Sequence, residues 1–355
     1  MIYFTTDMSD SLLLADCDYT EDHLNIIDSF YNDVNMGDMD MNSSFLYKMN
    51  IIPLYNNSKI EDYDSFFDFW MPGFLLTLIG LIGIAGNILN AILFIVLQSS
   101  PLTIILLFLS ISDLILILSS ILLVGLPAIH TFTVISDNPT ILSNYIINIF
   151  PYLGPVMYPL AMICQTLSIY LTTSIAIHHW FCLKSAKSSK IKSLITVLAI
   201  SLFSVLYNIP RFFEVTYSTN YFSSIMTNTT DLIPTSLSQN NLYMIFYTIW
   251  AYLFIIHIIP STIITISSIL IINQLARERT NINRTEKHLG VMALIISTIL
   301  LICDSPSIIS NILKYHGKVY HYVLQFSNLL ITINSSVKFL VYICLLYTSP
   351  SPRDS

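Results

Sequence analysis

Charge is what this chain has least of. Asp, Glu, Lys and Arg make up 10% of its 355 residues, against about a quarter in a soluble chain. That deficit excludes an ordinary water-soluble globule. Cysteine is also scarce: Cys17, Cys164, Cys182, Cys303 and Cys344 show no pairing or metal-ligand spacing. Those inside uncharged runs read as apolar packing residues. No glycine-rich phosphate loop, metal cluster or nucleophile motif is present, so no enzyme activity and no cofactor is expected. The adjacent His178 and His179 do not rescue a metal reading, because neighbours on a helix point about 100° apart. The first residues lack a basic segment, and S-L-L-L-A is too short an apolar core for a cleavable signal peptide.

What the chain has instead is apolar length. Hydrophobic residues make up 54% and the mean hydropathy is +0.68. A bilayer core of about 30 Å needs about 20 apolar residues per helix. Seven runs are long enough, near 74–98, 102–127, 150–182, 193–213, 243–272, 288–313 and 320–343. They predict an all-α membrane protein, a seven-transmembrane helix bundle over 71–343. The third run carries Thr166, Ser168, Thr172, Thr173 and Ser174 on every side. Small hydroxyls allow close helix approach and interhelical hydrogen bonds, so this run is predicted to be the central helix.

Loop charge sets the orientation. Lys184, Lys187, Lys190 and Lys192 follow the third run, and Arg277, Arg279, Arg284 and Lys287 follow the fifth. Loops on the other side hold only Arg211, Lys314 and Lys318. Basic loops stay cytoplasmic, which puts the N-terminus outside a plasma membrane whose lipid surrounds the bundle. This opposes a seven-helix channel of the insect odorant kind, which requires an intracellular N-terminus. Residues 1–70 hold most of the acids and only Lys48 and Lys59 as bases. They are expected to form a mostly disordered extracellular tail, and no nucleic-acid partner is expected. Asn42, Asn56 and Asn228 head glycosylation sequons on the outer side. Residues 344–355, ending C-L-L-Y-T-S-P-S-P-R-D-S, look like one reading frame of a sequencing adapter and are expected to be foreign, the natural seventh helix continuing elsewhere.

Polar residues inside spans are costly: a charge at a helix centre costs about 2.5–3.5 kcal/mol on insertion scales. Asp113, Asp304 and Lys338 are such charges, and Asn87 adds an amide. Together they argue for an ion-paired or hydrated interior. Gly86-Asn87 in the first span, L-S-I-S-D-L with Asp113 in the second, Pro260 in the fifth and C-D-S-P over Cys303 to Pro306 in the sixth resemble rhodopsin-like G-protein-coupled receptors. More narrowly, Q-T-L-S-I-Y-L-T (Gln165 to Thr172), Y-N-I-P-R-F-F-E (Tyr207 to Glu214) and N-S-S-V-K-F-L-V-Y (Asn334 to Tyr342) resemble the invertebrate FMRFamide and myosuppressin receptors. Nematode chemoreceptor-like relatives share much of the pattern.

The departures from that pattern matter equally. Where the family places an acid, an arginine and an aromatic, this chain reads His178, His179, Trp180. A histidine is shorter and mostly neutral at pH 7 and does not replace a permanent bidentate guanidinium. No cysteine lies between Cys182 and Cys303, so the family's disulfide from the third helix to the second outer loop is absent. Lys338 replaces the family's second seventh-span asparagine. Two readings of Lys338 stand: it pairs with Asp113 in place of a bound cation, or it snorkels to the interface. Two stand for Asp304: it faces the cavity to attract a ligand cation, or it bonds a neighbouring helix. Pro260 and Pro306 weaken their helices.

The resemblance implies a receptor for an extracellular peptide of the Arg-Phe-amide type, acting on a heterotrimeric G protein. Glu214, Asp231 or Asp304 would meet the ligand arginine. Tyr158 and Gln165 would line the pocket, and Tyr158, Phe212 and Phe213 would meet its phenylalanine. The acidic tail would steer a cationic peptide or merely solubilise the chain. The alternative is a ligand-binding, non-signalling receptor without the arginine switch.

Overall fold

Uncharged runs in a bilayer must satisfy their backbone groups internally, and here they do so as helices. The computed structural model describes residues 66–96, 100–135, 141–183, 189–222, 227–277, 284–313 and 317–348. The spans are α1 (Phe66–Val96), α2 (Pro101–Phe132), α3 (Phe150–Leu183), α4 (Lys190–Phe213), α5 (Asn241–Arg277), α6 (Arg284–Ile312) and α7 (Gly317–Thr348). Six of these contain a segment long and apolar enough to cross a membrane. The seventh, α7, is broken up by buried Gln325, Asn328, Asn334, Ser335 and Lys338. It closes the ring by packing on α6, α1 and α2.

Local chemistry starts the helices. Ser100 is extended, Pro101 takes the first helical position, and Ser100 Oγ accepts from the Thr103 amide at 3.3 Å. Ser189 does the same for α4 through the Ile191 amide. Asn240 Oδ1 accepts from the amides of Leu242 and Tyr243 at the head of α5. Proline shapes the interiors. Wide, π-type turns occur at Phe69–Leu75 around Pro72, at Ile121–Gly125 just before Pro127, and at Met244–Ile258 just before Pro260. A proline removes a backbone donor, and a wider turn gives the freed carbonyl another partner.

α1 begins at Phe66, ahead of the tail boundary expected at residue 70. Phe67 meets Tyr322 of α7 edge-on at 4.7 Å, and Phe69 stacks on Phe132 of α2 at 4.3 Å. Asp68, counted among the tail acids, sits 2.7 Å from His321 Nε2 of α7. Further in, Gly83 and Gly86 let α7 approach: a Cβ on either would collide with Ser336 or the Phe339 ring.

α3 is the hub, packed against α2, α4, α5 and α6. Thr166, Ser168, Thr172 and Thr173 are all buried. The three threonines each donate to the carbonyl four residues back. Two apolar clusters lie along the bundle. The outer one includes Leu116, Met162, Tyr252 and Leu300. The inner one includes Leu109, Leu171, Ile175 and Ile296. Asp113 falls between Leu109 and Leu116 on α2, and Ser168 falls just before Leu171 on α3, so a polar layer separates the two.

Outside, β1 (Val215–Phe222) pairs antiparallel with β2 (Thr227–Pro234), Val215 opposite Pro234. This hairpin lies on the outer end of α3. Leu232 fills the space left by Gly154, and Tyr217 packs on Tyr152 at 4.8 Å. Cys164, Cys182 and Cys303 are free thiols, so among the described residues packing and hydrogen bonds hold the hairpin.

Candidate functional site

Three polar clusters are built into the bundle. In the middle layer, Lys338 Nζ of α7 lies 3.0 Å and 3.2 Å from the two Asp113 oxygens of α2. It also donates to Ser168 Oγ of α3 at 2.7 Å, and that hydroxyl donates to Asp113 Oδ1 at 2.7 Å. Both charges are 0% exposed. The lysine amine therefore sits on the acid and not at the membrane interface. Asn87 of α1 joins the layer through the Ser335 carbonyl, 3.0 Å from Nδ2. In a low-dielectric interior each charge needs the other, since a lone one would carry an uncompensated desolvation cost.

The second cluster joins α5 to α6. Asp304 Oδ2 lies 2.5 Å from His257 Nδ1, and the Tyr252 ring packs edge-on against the imidazole at 4.9 Å. Of the two readings of Asp304, the helix-bonding one describes its geometry. Its residue also borders a small cavity with Gln165, Ser168, Cys303 and Asn334. Asn334 Oδ1 is buried and without a hydrogen-bond partner among the described residues, so this cavity has an acceptor to offer. Sequence reasoning missed His257. A single histidine inside the apolar stretch Met244–Ile258 carries no periodic signal, and its partner lies 47 residues away.

The third cluster closes the outer end. After Pro210, the short 3-10 turn Ile209–Phe213 turns Arg211 inward, and Glu214 follows it. Arg211 Nη1 donates to both Glu214 oxygens at 2.8 and 3.0 Å. Tyr158 of α3 and Tyr243 of α5 each donate to the same carboxylate, at 2.7 and 2.6 Å. The guanidinium carbon lies 4.9 Å from the Tyr247 ring centre and 5.9 Å from that of Tyr252. Arg211 is 1% exposed and Glu214 5%. Glu214, expected to face a ligand cation, thus holds the chain's own arginine. Phe212 and Phe213, expected to meet a ligand phenylalanine, point away from this cluster and are 43% and 62% exposed. The backbone places Asp231 opposite Ser218 and Asn228 opposite Tyr221 in the hairpin. Asn42 and Asn56 lie outside the described residues.

At the inner end of α3, His179 is 4% exposed and its Nε2 has no hydrogen-bond partner among the described residues. His178 Nδ1 lies 3.5 Å from Cys182 Sγ one turn on. Trp180 packs against the inner apolar cluster and on Phe181 at 4.7 Å. No described acid is placed beside His179. Pro260 is buried in α5 and Pro306 half-buried in α6. Among the described residues no group of three metal-ligating side chains occurs.

Comparison with known proteins gives three informative relatives. The chain is 31% identical over 304 residues to the FMRFamide receptor of Drosophila melanogaster, covering 82% of this chain and 53% of that protein. It is 25% identical over 309 residues to the probable G-protein coupled receptor frpr-1 of Caenorhabditis elegans, covering 80% and 77%. It is 25% identical over 294 residues to the FMRFamide peptide receptor frpr-18 of the same nematode, covering 75% and 64%. No protein-family model matches. The chain spans about half the length of the insect relative.

Proposed function

The chain belongs to the FMRFamide-receptor-like family of G-protein-coupled receptors, and from that premise we propose that it binds an extracellular peptide of the Arg-Phe-amide type and activates a heterotrimeric G protein. The observation that carries the reading is the likeness to the insect FMRFamide receptor across 82% of the chain. Tyr158, Gln165, Glu214 and Asp304 face inward from α3, the head of the hairpin and α6, where a peptide entering from outside would arrive. Ligand binding there biases α6, whose Pro306 weakens one turn, and opens a cleft between the basic inner loops. Lys338 serves as a built-in cation for Asp113, so the polar layer needs no sodium ion. All three relatives are named as receptors, and none favours a non-signalling role. The test is saturable binding of a labelled Arg-Phe-amide peptide panel to cells expressing the chain, followed by ligand-dependent nucleotide exchange on a G protein. Absence of saturable binding across the panel would sink the ligand class.

A further inference from the structure

The outer cluster is built like a receptor site that already has its guest. Glu214 presents both carboxylate oxygens to one guanidinium nitrogen, at 2.8 and 3.0 Å. Tyr158 and Tyr243 hold that carboxylate from α3 and α5. The rings of Tyr247 and Tyr252 lie against the guanidinium, within cation–π range. A planar cation with several donors fits such a wall of acid and aromatic faces, and an ammonium fits it less well.

Stability alone does not require the arrangement. A buried ion pair is commonly no more stabilising than apolar residues of the same volume. Nor does the pair join distant elements by itself, since Arg211 and Glu214 are three residues apart. What surrounds them is specific to one chemical group.

We propose that this cluster is a guanidinium-binding site, that Arg211 is its resident occupant, and that an arginine-bearing ligand gains it by displacing that side chain. The ligand half of the proposal rests on the peptide reading above; the guanidinium site does not. The chain's Arg211-Phe212 presents the same pair of side chains as an Arg-Phe peptide end, but only the arginine enters the cluster. Displacement is transmitted outward and sideways. The Glu214 carbonyl accepts from the Thr235 amide at 3.0 Å and so fastens the far end of the hairpin, while Tyr243 heads α5. Exchange of one guanidinium for another therefore loosens hairpin and helix together at the moment of entry.

The experiment uses the full chain in lipid nanodiscs. Arg211→Ala empties the site and lowers the thermal midpoint. Argininamide is expected to raise that midpoint saturably at millimolar concentration, whereas lysinamide does not. Wild type, with its site filled, is unmoved by either, and Arg211→Ala with Glu214→Gln is not restored. Failure of argininamide to restore, or equal restoration by lysinamide, overturns the site. Should Arg211→Ala not fold, Arg211→Lys keeps a cation in place and is expected to show an argininamide shift larger than wild type; no difference from wild type overturns the site as well. For the ligand half, a labelled Arg-Phe-amide peptide is expected to bind Arg211→Lys about tenfold more tightly than wild type, since the internal competitor is weakened. Unchanged or weaker binding overturns displacement. Argininamide restoration without peptide binding by any variant keeps the site and removes the peptide reading.

Discussion

The Asp113–Lys338 pair and the Arg211–Glu214 pair are both sealed from water, yet they hold different things. The first joins residues 225 positions apart and ties α2, α3 and α7 in the layer between the two apolar clusters. The second spans three residues and ties nothing until two tyrosines extend it to α3 and α5. A point-charge ammonium suits the middle layer, where a hydroxyl and a carboxylate surround it. A flat fork suits the outer cluster, where rings do. The difference shows that a buried charge can serve as a joint between helices or as the filling of a site, and its neighbours decide which.

Removing one member of each pair sharpens that contrast. Lys338→Ala strands a fully buried carboxylate and is expected to cost about 3–5 kcal/mol, read as a large fall in the thermal midpoint. Replacing both partners, Lys338→Met with Asp113→Leu, is expected to recover most of it. The single variant is also expected to become sodium-stabilised where the wild type is not, and a sodium-stabilised wild type would contradict the built-in cation. At the outer cluster Tyr158→Phe removes one donor to a charged acceptor and is expected to cost about 1.5–3 kcal/mol, with faster proteolysis of the hairpin. If Tyr158→Phe cost as much as Lys338→Ala, the two clusters would be joints of the same kind.

Packing supplies a milder probe. Gly86→Ala drives a methyl onto the Phe339 ring and is expected to cost about 1–3 kcal/mol. Gly154→Ala meets only the flexible end of Leu232 at 3.0 Å and is expected to cost less in the same unfolding assay. His179→Arg is read by signalling and not by stability, since it places a permanent cation at a buried position from which its long side chain reaches toward the cytoplasmic surface. Its readout is nucleotide exchange, which is expected to rise with ligand. No rise would show that the missing guanidinium does not limit coupling.

The helix bundle was legible because a bilayer leaves so few solutions: apolar runs, basic loops and hydroxyls on the third run were enough to place it. The charged span residues also announced themselves by their cost. What stayed hidden was the identity of two partners. Glu214 read as an acid awaiting a ligand, and Asp304 as either that or a bond to a neighbouring helix, because nothing local reveals that Arg211 turns inward after Pro210 or that His257 reaches across from α5. The hairpin over 215–234 was read only as a loop. The β-branched and aromatic residues of 215–222 and the β-branched residues of 227–234 were the available signal. α7 was counted among the apolar runs, although its inward face carries amides and hydroxyls that only packing against α1, α2 and α6 makes affordable.

One feature of α5 acquires a mechanical meaning from these contacts. Its wide stretch, Met244–Ile258, has Tyr243 at one end, bound to Glu214, and His257 at the other, bound to Asp304. Wide turns bond each amide five residues back and ordinary turns four. Glu214 and Asp304 are thus tied to opposite ends of one wide-turned stretch, so the outer cluster and the α5–α6 contact share a single segment of backbone.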